Sequence, residues 1–176
     1  MKTLNFPAFR QTYDWDCGAS ALQSVLAYYG FDVRAEEIIK RAGTNSRIGT
    51  PIAGLKKVLK KYQLNCQDGA MEITDIIFHL RRKTPVILLL QAWTKKKHLD
   101  WSQAWSEGHY VVAIGYDNKN IYFADPANIY RTFLSKAELL ERWHDKDANN
   151  KKYVQWGLVV TGKKPAYTLA RAQHMD

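Results

Sequence analysis

The spacing of the apolar residues changes character halfway along this chain, and that change limits the fold more tightly than any other feature. Up to about residue 83 the apolar positions recur at helical spacing. Gly18 to Tyr29 places Ala19, Leu22, Val25, Leu26 and Tyr29 at that spacing, and Gly30 follows as a stop. Ala35 to Ala42 reads as a short second helix ending at Gly43. Thr50-Pro51 offers a capping hydroxyl and then proline at the first helical position. Ile52, Leu55, Leu59 and Tyr62 share one face of that helix, turned away from most of Lys56, Lys57, Lys60 and Lys61. Ile73 to Lys83 predicts a fourth helix. Beyond it the pattern is one of strands. Val86 to Ala92 is a continuous apolar run suited to a buried strand. His109 to Tyr116, a turn at Asp117 to Asn120, and Asn120 to Asp125 form a hairpin. Ile129 to Leu134 is a third strand, Ser135-Lys136-Ala137-Glu138 has capping-box form and opens a helix to about Trp143, and Tyr153 to Thr161 closes the sheet. Helices first and strands later predict an α+β fold, with N-terminal helices packed on a C-terminal, mostly antiparallel sheet.

A chain of 176 residues supports one domain with a real core and little more. It is expected over residues 1–161, with a short loose tail over 162–176. Hydrophobic residues at 46% and charged residues at 24% exclude a disordered, collagenous or disulfide-stapled chain. The longest apolar run, Pro85 to Leu90, falls far short of the roughly 20 residues a membrane helix needs. Met1 to Arg10 lacks the apolar stretch of a secretory signal, so a cytoplasmic location is expected. The balance of 26 Lys and Arg against 17 Asp and Glu gives +9, which permits contact with nucleic acid or an acidic partner. The basic clusters at Lys56 to Lys61 and Lys95 to Lys97 are separate, and the first is the wet face of a helix, which argues against nucleic acid.

Cys17, in Asp16-Cys17-Gly18, sits where the first helix begins. Unpaired N–H groups and the positive end of the helix dipole favour a thiolate there, so an attacking cysteine belongs at this position. Gly18 lets a substrate approach the backbone. The same position also suits a small buried thiol. Cys66 lies inside a probable-strand sequence after a helix and reads as an ordinary thiol; a reducing compartment leaves both unpaired. Among the histidines at 79, 98, 109, 144 and 174, His109 differs, because it follows Gly108 and opens the apolar strand Tyr110 to Gly115. His144 reads as the end of a helix. Antiparallel pairing brings the start of the His109 strand beside the end of the next, where Asp125 stands, so these two are predicted neighbours. An aspartate so placed would hold an imidazole in one tautomer; a turn carboxylate before Pro126 is the plainer alternative. Gln11 lies close enough before Cys17 for its amide to curl over the helix start and donate to an oxyanion. No metal-ligand spacing, dinucleotide motif or Walker loop is present, and no cofactor is expected.

The order Gln11, Cys17, His109, Asp125 is that of a papain-like cysteine peptidase. The stretch Arg10 to Leu22 with Tyr28-Tyr29-Gly30, together with Gly108-His109-Tyr110-Val111-Val112 and Ala124-Asp125-Pro126, resembles the bacteriocin-processing peptidase family, which cuts double-glycine leader peptides. The resemblance implies a papain-like fold with Cys17 as nucleophile, His109 as general base and acid, Asp125 as its orienter and Gln11 as oxyanion donor. It implies a peptide or protein substrate and no cofactor. Family members known for leader cleavage are usually the N-terminal domain of an ABC transporter; this sequence carries neither a membrane span nor an ATPase, so a transporter partner would be a separate chain that the sequence does not identify. A long segment, Thr94 to Glu107, leads into His109 and is expected to border the cleft, with Trp101, Trp105 and Gly108 contacting substrate. A non-catalytic peptide-binding module on the same fold and, on charge alone, a nucleic-acid-binding protein are the alternatives.

Overall fold

The computed structural model describes residues 1–168 and 170. It begins with a two-residue strand, β1 (Lys2–Thr3), followed by the helices α1 (Cys17–Tyr28), α2 (Ala35–Ala42) and α3 (Ile52–Lys61). Strand β2 (Asn65–Ala70) precedes α4 (Ile73–Arg81). The strands β3 (Val86–Gln91), β4 (Gly108–Tyr116), β5 (Asn120–Ala124) and β6 (Thr132–Ser135) come next. After α5 (Lys136–Arg142), the chain ends in β7 (His144–Lys146), β8 (Lys152–Val154) and β9 (Trp156–Thr161). The main sheet runs β2-β9-β3-β4-β5-β6, with β1 beside β4, and β7 pairs with β8 as a separate ribbon. All pairings among the described residues are antiparallel.

The apolar run read as a buried strand is β3, lying between β4 and β9. Both faces are covered, so Val86, Ile87, Leu88, Leu89 and Leu90 are all buried. Each such side chain contributes about 2 kcal/mol by leaving water. Helix α1 lies over β4 and is buried nearly all round, which explains why its apolar pattern lacks a polar face. The β4–β5 turn is built by Asp117, whose carboxylate accepts from the N–H groups of Lys119 and Asn120 and from the Tyr122 hydroxyl. Those bonds, the Tyr122 hydroxyl foremost, hold its carboxyl down at about 2. Ser135 and Glu138 form the expected capping box of α5.

Several expectations need correction. Thr50 does not cap α3: its hydroxyl accepts from Thr44, and Pro51 stands at the cap with no side-chain bond. The third strand begins only at Thr132, because Ile129 and Tyr130 lie exposed in the preceding turn. Tyr153 to Thr161 is two strands, not one. Gln155 adopts a left-handed φ of 52° and breaks the run, so β8 pairs with β7 while β9 enters the main sheet. Nor does β9 close that sheet, since it lies between β2 and β3. His144 opens β7 and does not end a helix. The start of the supposed loose tail is docked: the N–H groups of Ala166 and Tyr167 donate to the Tyr28 carbonyl, and Lys163 sits over the Phe31 ring. The remainder of that tail, 169 and 171–176, lies outside the described residues.

Candidate active site

Three structural elements and one loop converge at the start of α1. Cys17 is the first residue of the helix and is buried. The loop before it is folded by Asp16, which is fully buried and accepts from the backbone N–H groups of Thr12 and Tyr13 at 3.2 and 3.1 Å. That loop is also tied to the turn after β5, because the Gln11 N–H donates to the Pro126 carbonyl at 2.9 Å. His109 is the second residue of β4. Val112 pairs with Ala124, so continuing the register sets Asp125 across from Val111 and diagonal to His109 on the same face.

The pairing foreseen between His109 and Asp125 is present. His109 Nε2 lies 2.7 Å from Asp125 Oδ1, and both side chains are buried. A carboxylate only accepts, so Nε2 carries a proton and Nδ1 is left available to the neighbouring Cys17 thiol. Burial alone would drive the imidazolium to lose its proton. The Asp125 and Cys17 hydrogen bonds and charges outweigh it, and the His109 pKa is raised to about 9. Burial likewise opposes ionisation of Asp125, but bonds from His109, the Ala127 N–H and the Trp93 indole hold its carboxyl below the usual range.

Trp93 is a member of this cluster that sequence reasoning missed. Its indole N–H donates to Asp125 Oδ2 at 3.0 Å, and the Thr132 hydroxyl donates to the same oxygen at 3.2 Å. Trp93 adopts a left-handed φ of 58°, a costly conformation for a bulky side chain. The contact spans 32 residues of sequence, and no local pattern could have foretold it.

A groove of about 490 Å³ adjoins Cys17 and is lined by Trp15, Gly108, Tyr110, Leu89 and Asp145 among others. Gly108 does border it, and a Cβ there would collide with the Asp145 carboxylate. Gly18 has a different task from the one expected. A side chain on it would strike Thr50 and Tyr110, so its smallness lets α1 seat against them, and the Tyr110 hydroxyl then donates to the Thr50 carbonyl at 3.1 Å. Trp101 and Trp105 do not line this groove. Arg142 lies 3.9 Å over the Trp101 ring, while Trp105 packs 4.5 Å from the His144 ring with Lys152 above it. They brace the 94–107 segment against α5 and the β7–β8 ribbon. Gln11 is placed on the loop beside the helix start, with its amide donating to the Tyr13 carbonyl at 2.9 Å. The two thiols, Cys17 and Cys66, are free. Among the described residues no cluster of His, Cys, Asp or Glu is arranged to hold a metal, and no helix is long and apolar enough to cross a membrane.

Comparison with known proteins gives the family and the fold. The chain is 28% identical over 131 residues to an uncharacterized protein of Methanothermobacter marburgensis, covering 72% of this chain and 79% of that one. It is 27% identical over 134 residues to the lactococcin-A transport/processing ATP-binding protein of Lactococcus lactis, where the match spans 76% of this chain and 17% of the longer protein. The fold superposes with a TM-score of 0.64, at 20% identity, on a double glycine motif protease from an AMS/PCAT transporter crystallised with its leader peptide, covering 93% of this chain and 94% of that one. Residues 5–147 match the model of the Peptidase C39 family. With the helices, the sheet and most of the chain in correspondence, this protein belongs to the Peptidase C39 family.

Proposed function

We propose that this chain is a cysteine peptidase that cleaves a peptide bond through Cys17, His109, Asp125 and Gln11. The observation that carries the reading is one imidazole held between two groups. His109 bonds Asp125 through Nε2 at 2.7 Å, and the Cys17 thiol stands beside the same ring. His109 takes the proton of the Cys17 thiol, and the thiolate so formed is what attacks. Sγ adds to the carbonyl carbon of the scissile bond, and the carbonyl oxygen becomes an oxyanion. The Cys17 N–H at the helix start and the Gln11 amide stabilise that charge. For this the Gln11 Nε2 turns from the Tyr13 carbonyl that now holds it. His109 Nδ1–H then protonates the leaving amine, and a thioester to Cys17 remains. His109, now neutral, takes a proton from water as that water attacks the thioester. The freed carboxylate departs and the thiolate is restored. Asp125 keeps the imidazole in one tautomer throughout.

As substrate we propose a peptide whose leader ends in a double glycine, since a structural relative is named as a double glycine motif protease and was crystallised with its leader peptide. The test is to incubate the protein with such a peptide beside an unbiased peptide library, with Cys17→Ala as control. Cleavage after the second glycine, absent in Cys17→Ala, is expected. Cleavage elsewhere would remove the double-glycine reading and keep the peptidase. Tight peptide binding with no cleavage would identify a binding module instead.

A further inference from the structure

The groove beside Cys17 has a charge opposite to that of the chain. Its charged residues are Asp14, Asp145, Asp147 and Lys146, three acidic against one basic, in a protein of net charge +9. Asp147 is occupied within its own turn, where it accepts from the N–H groups of Asn149 and Lys151 and from the Tyr153 hydroxyl. Asp14 is exposed. Asp145 differs from both. It is only 9% exposed, yet it lines the groove.

Its two oxygens have unlike surroundings. Oδ1 accepts the Gln91 amide at 2.9 Å, and Gln91, fully buried at the end of β3, also donates to the His144 carbonyl and accepts the Glu107 N–H. The strand that leads to Gly108 and the ribbon that bears Asp145 are thereby locked together. Oδ2 has no side-chain donor among the described residues and stands against Gly108, in the space a Cβ would fill. Gly108 immediately precedes His109, so this carboxylate borders the place where a substrate would meet the nucleophile. Burial raises the Asp145 pKa, against the pull of its backbone and Gln91 hydrogen bonds, so a buried cation opposite it would relieve a real cost. Leu89, Tyr110 and Tyr153 supply apolar wall beside it. An apolar stem ending in a positive charge fits such a wall.

We infer that Asp145 is a specificity-determining residue that selects peptides presenting a lysine or arginine side chain to the groove beside Gly108. This rests on the cysteine-peptidase reading for its substrate but not for its electrostatics, and the test separates the two. Peptide pairs that differ only by lysine or norleucine, at each position before the cut, are compared for wild type, Asp145→Asn and Asp14→Asn. Asparagine keeps an acceptor for Gln91, so packing is retained while the charge is lost. At one position wild type is expected to favour lysine by about tenfold or more in kcat/KM. Asp145→Asn abolishes that preference, so that its lysine and norleucine peptides are cut with equal kcat/KM, and Asp14→Asn keeps it. In parallel, in a Cys66→Ser background, Cys17 is labelled with cationic and with neutral methanethiosulfonate reagents. The cationic reagent is expected to react several-fold faster in wild type, and that advantage should disappear in Asp145→Asn. An unchanged lysine preference or labelling ratio in Asp145→Asn overturns the inference. If no peptide is cut but the labelling ratio falls as stated, the peptidase reading fails and the cation-selecting groove stands.

Discussion

His109 and His144 are buried to nearly the same degree, 6% and 7% exposed, and each makes one 2.7 Å bond through Nε2. What differs is the atom at the other end. His109 meets a carboxylate, with the Cys17 thiol beside it. His144 meets the backbone carbonyl of Ala104 and packs against the Trp105 ring. A carbonyl accepts one ring N–H and so fixes the orientation of the imidazole. Burial with a carbonyl gives a structural pin, whereas burial with a carboxylate and a thiol gives a group able to hold and pass a proton. Burial by itself identifies neither.

Mutating the two histidines should separate those roles most strongly. His109→Ala is expected to lower kcat by about a thousandfold, and to lower stability as well because the buried Asp125 carboxylate loses its partner. His144→Ala should leave kcat within a few-fold but cost about 2 kcal/mol of stability, because the Ala104 carbonyl loses its donor and the Trp105 ring its packing. Activity assays and thermal melts on both variants check this, and equal loss of rate would erase the contrast. The next effect is that of Gln11→Ala. An oxyanion donor acts in the transition state, so kcat should fall about a hundredfold with KM far less changed; a near-normal kcat would assign the oxyanion hole to other donors. The smallest effect concerns pH. The His109 proton is held to about 9 in the fold against 6.5 for a free imidazole. A raised folded pKa contributes stability that is complete below about 6.5 and is lost as pH rises through 9. The melting temperature should therefore fall across that window, by a few degrees more in wild type than in Asp125→Asn. The basic limb of kcat/KM should lie near 9, where His109 can no longer protonate a leaving amine.

Much of the architecture was legible because it is local. The apolar run of β3, the Asp117 turn, the Ser135 capping box and the helix opening at Cys17 all have their causes within a few residues. The His109–Asp125 contact was legible too, since hairpin register brings sequence neighbours of a turn together. Strand order was not. β9 carries the same apolar pattern whether it lies at an edge or in the middle, and only long-range packing decides. The β7–β8 ribbon was hidden for another reason. His144-Asp145-Lys146 has no apolar period, and its place is set by Gln91 and Ala104, far away in sequence. The segment of Trp101 and Trp105 enters the His109 strand, but proximity in the chain does not fix which side they pack on. Trp93, which does touch the cluster, lay just before that segment.

The central position of β9 also bears on how the protein is made. Strands β2 and β3 reach each other only through β9, and the hydroxyl of Tyr29, just past the end of α1, donates to the Val160 carbonyl at 2.6 Å. Cys17 leaves the ribosome well before β9, and the sheet beneath its helix stays incomplete until residues near 160 emerge. At about 5–20 residues per second that delay is on the order of ten seconds. During synthesis the thiol is therefore part of an unfinished sheet, and β9 acts as the timer that determines when a competent site first exists.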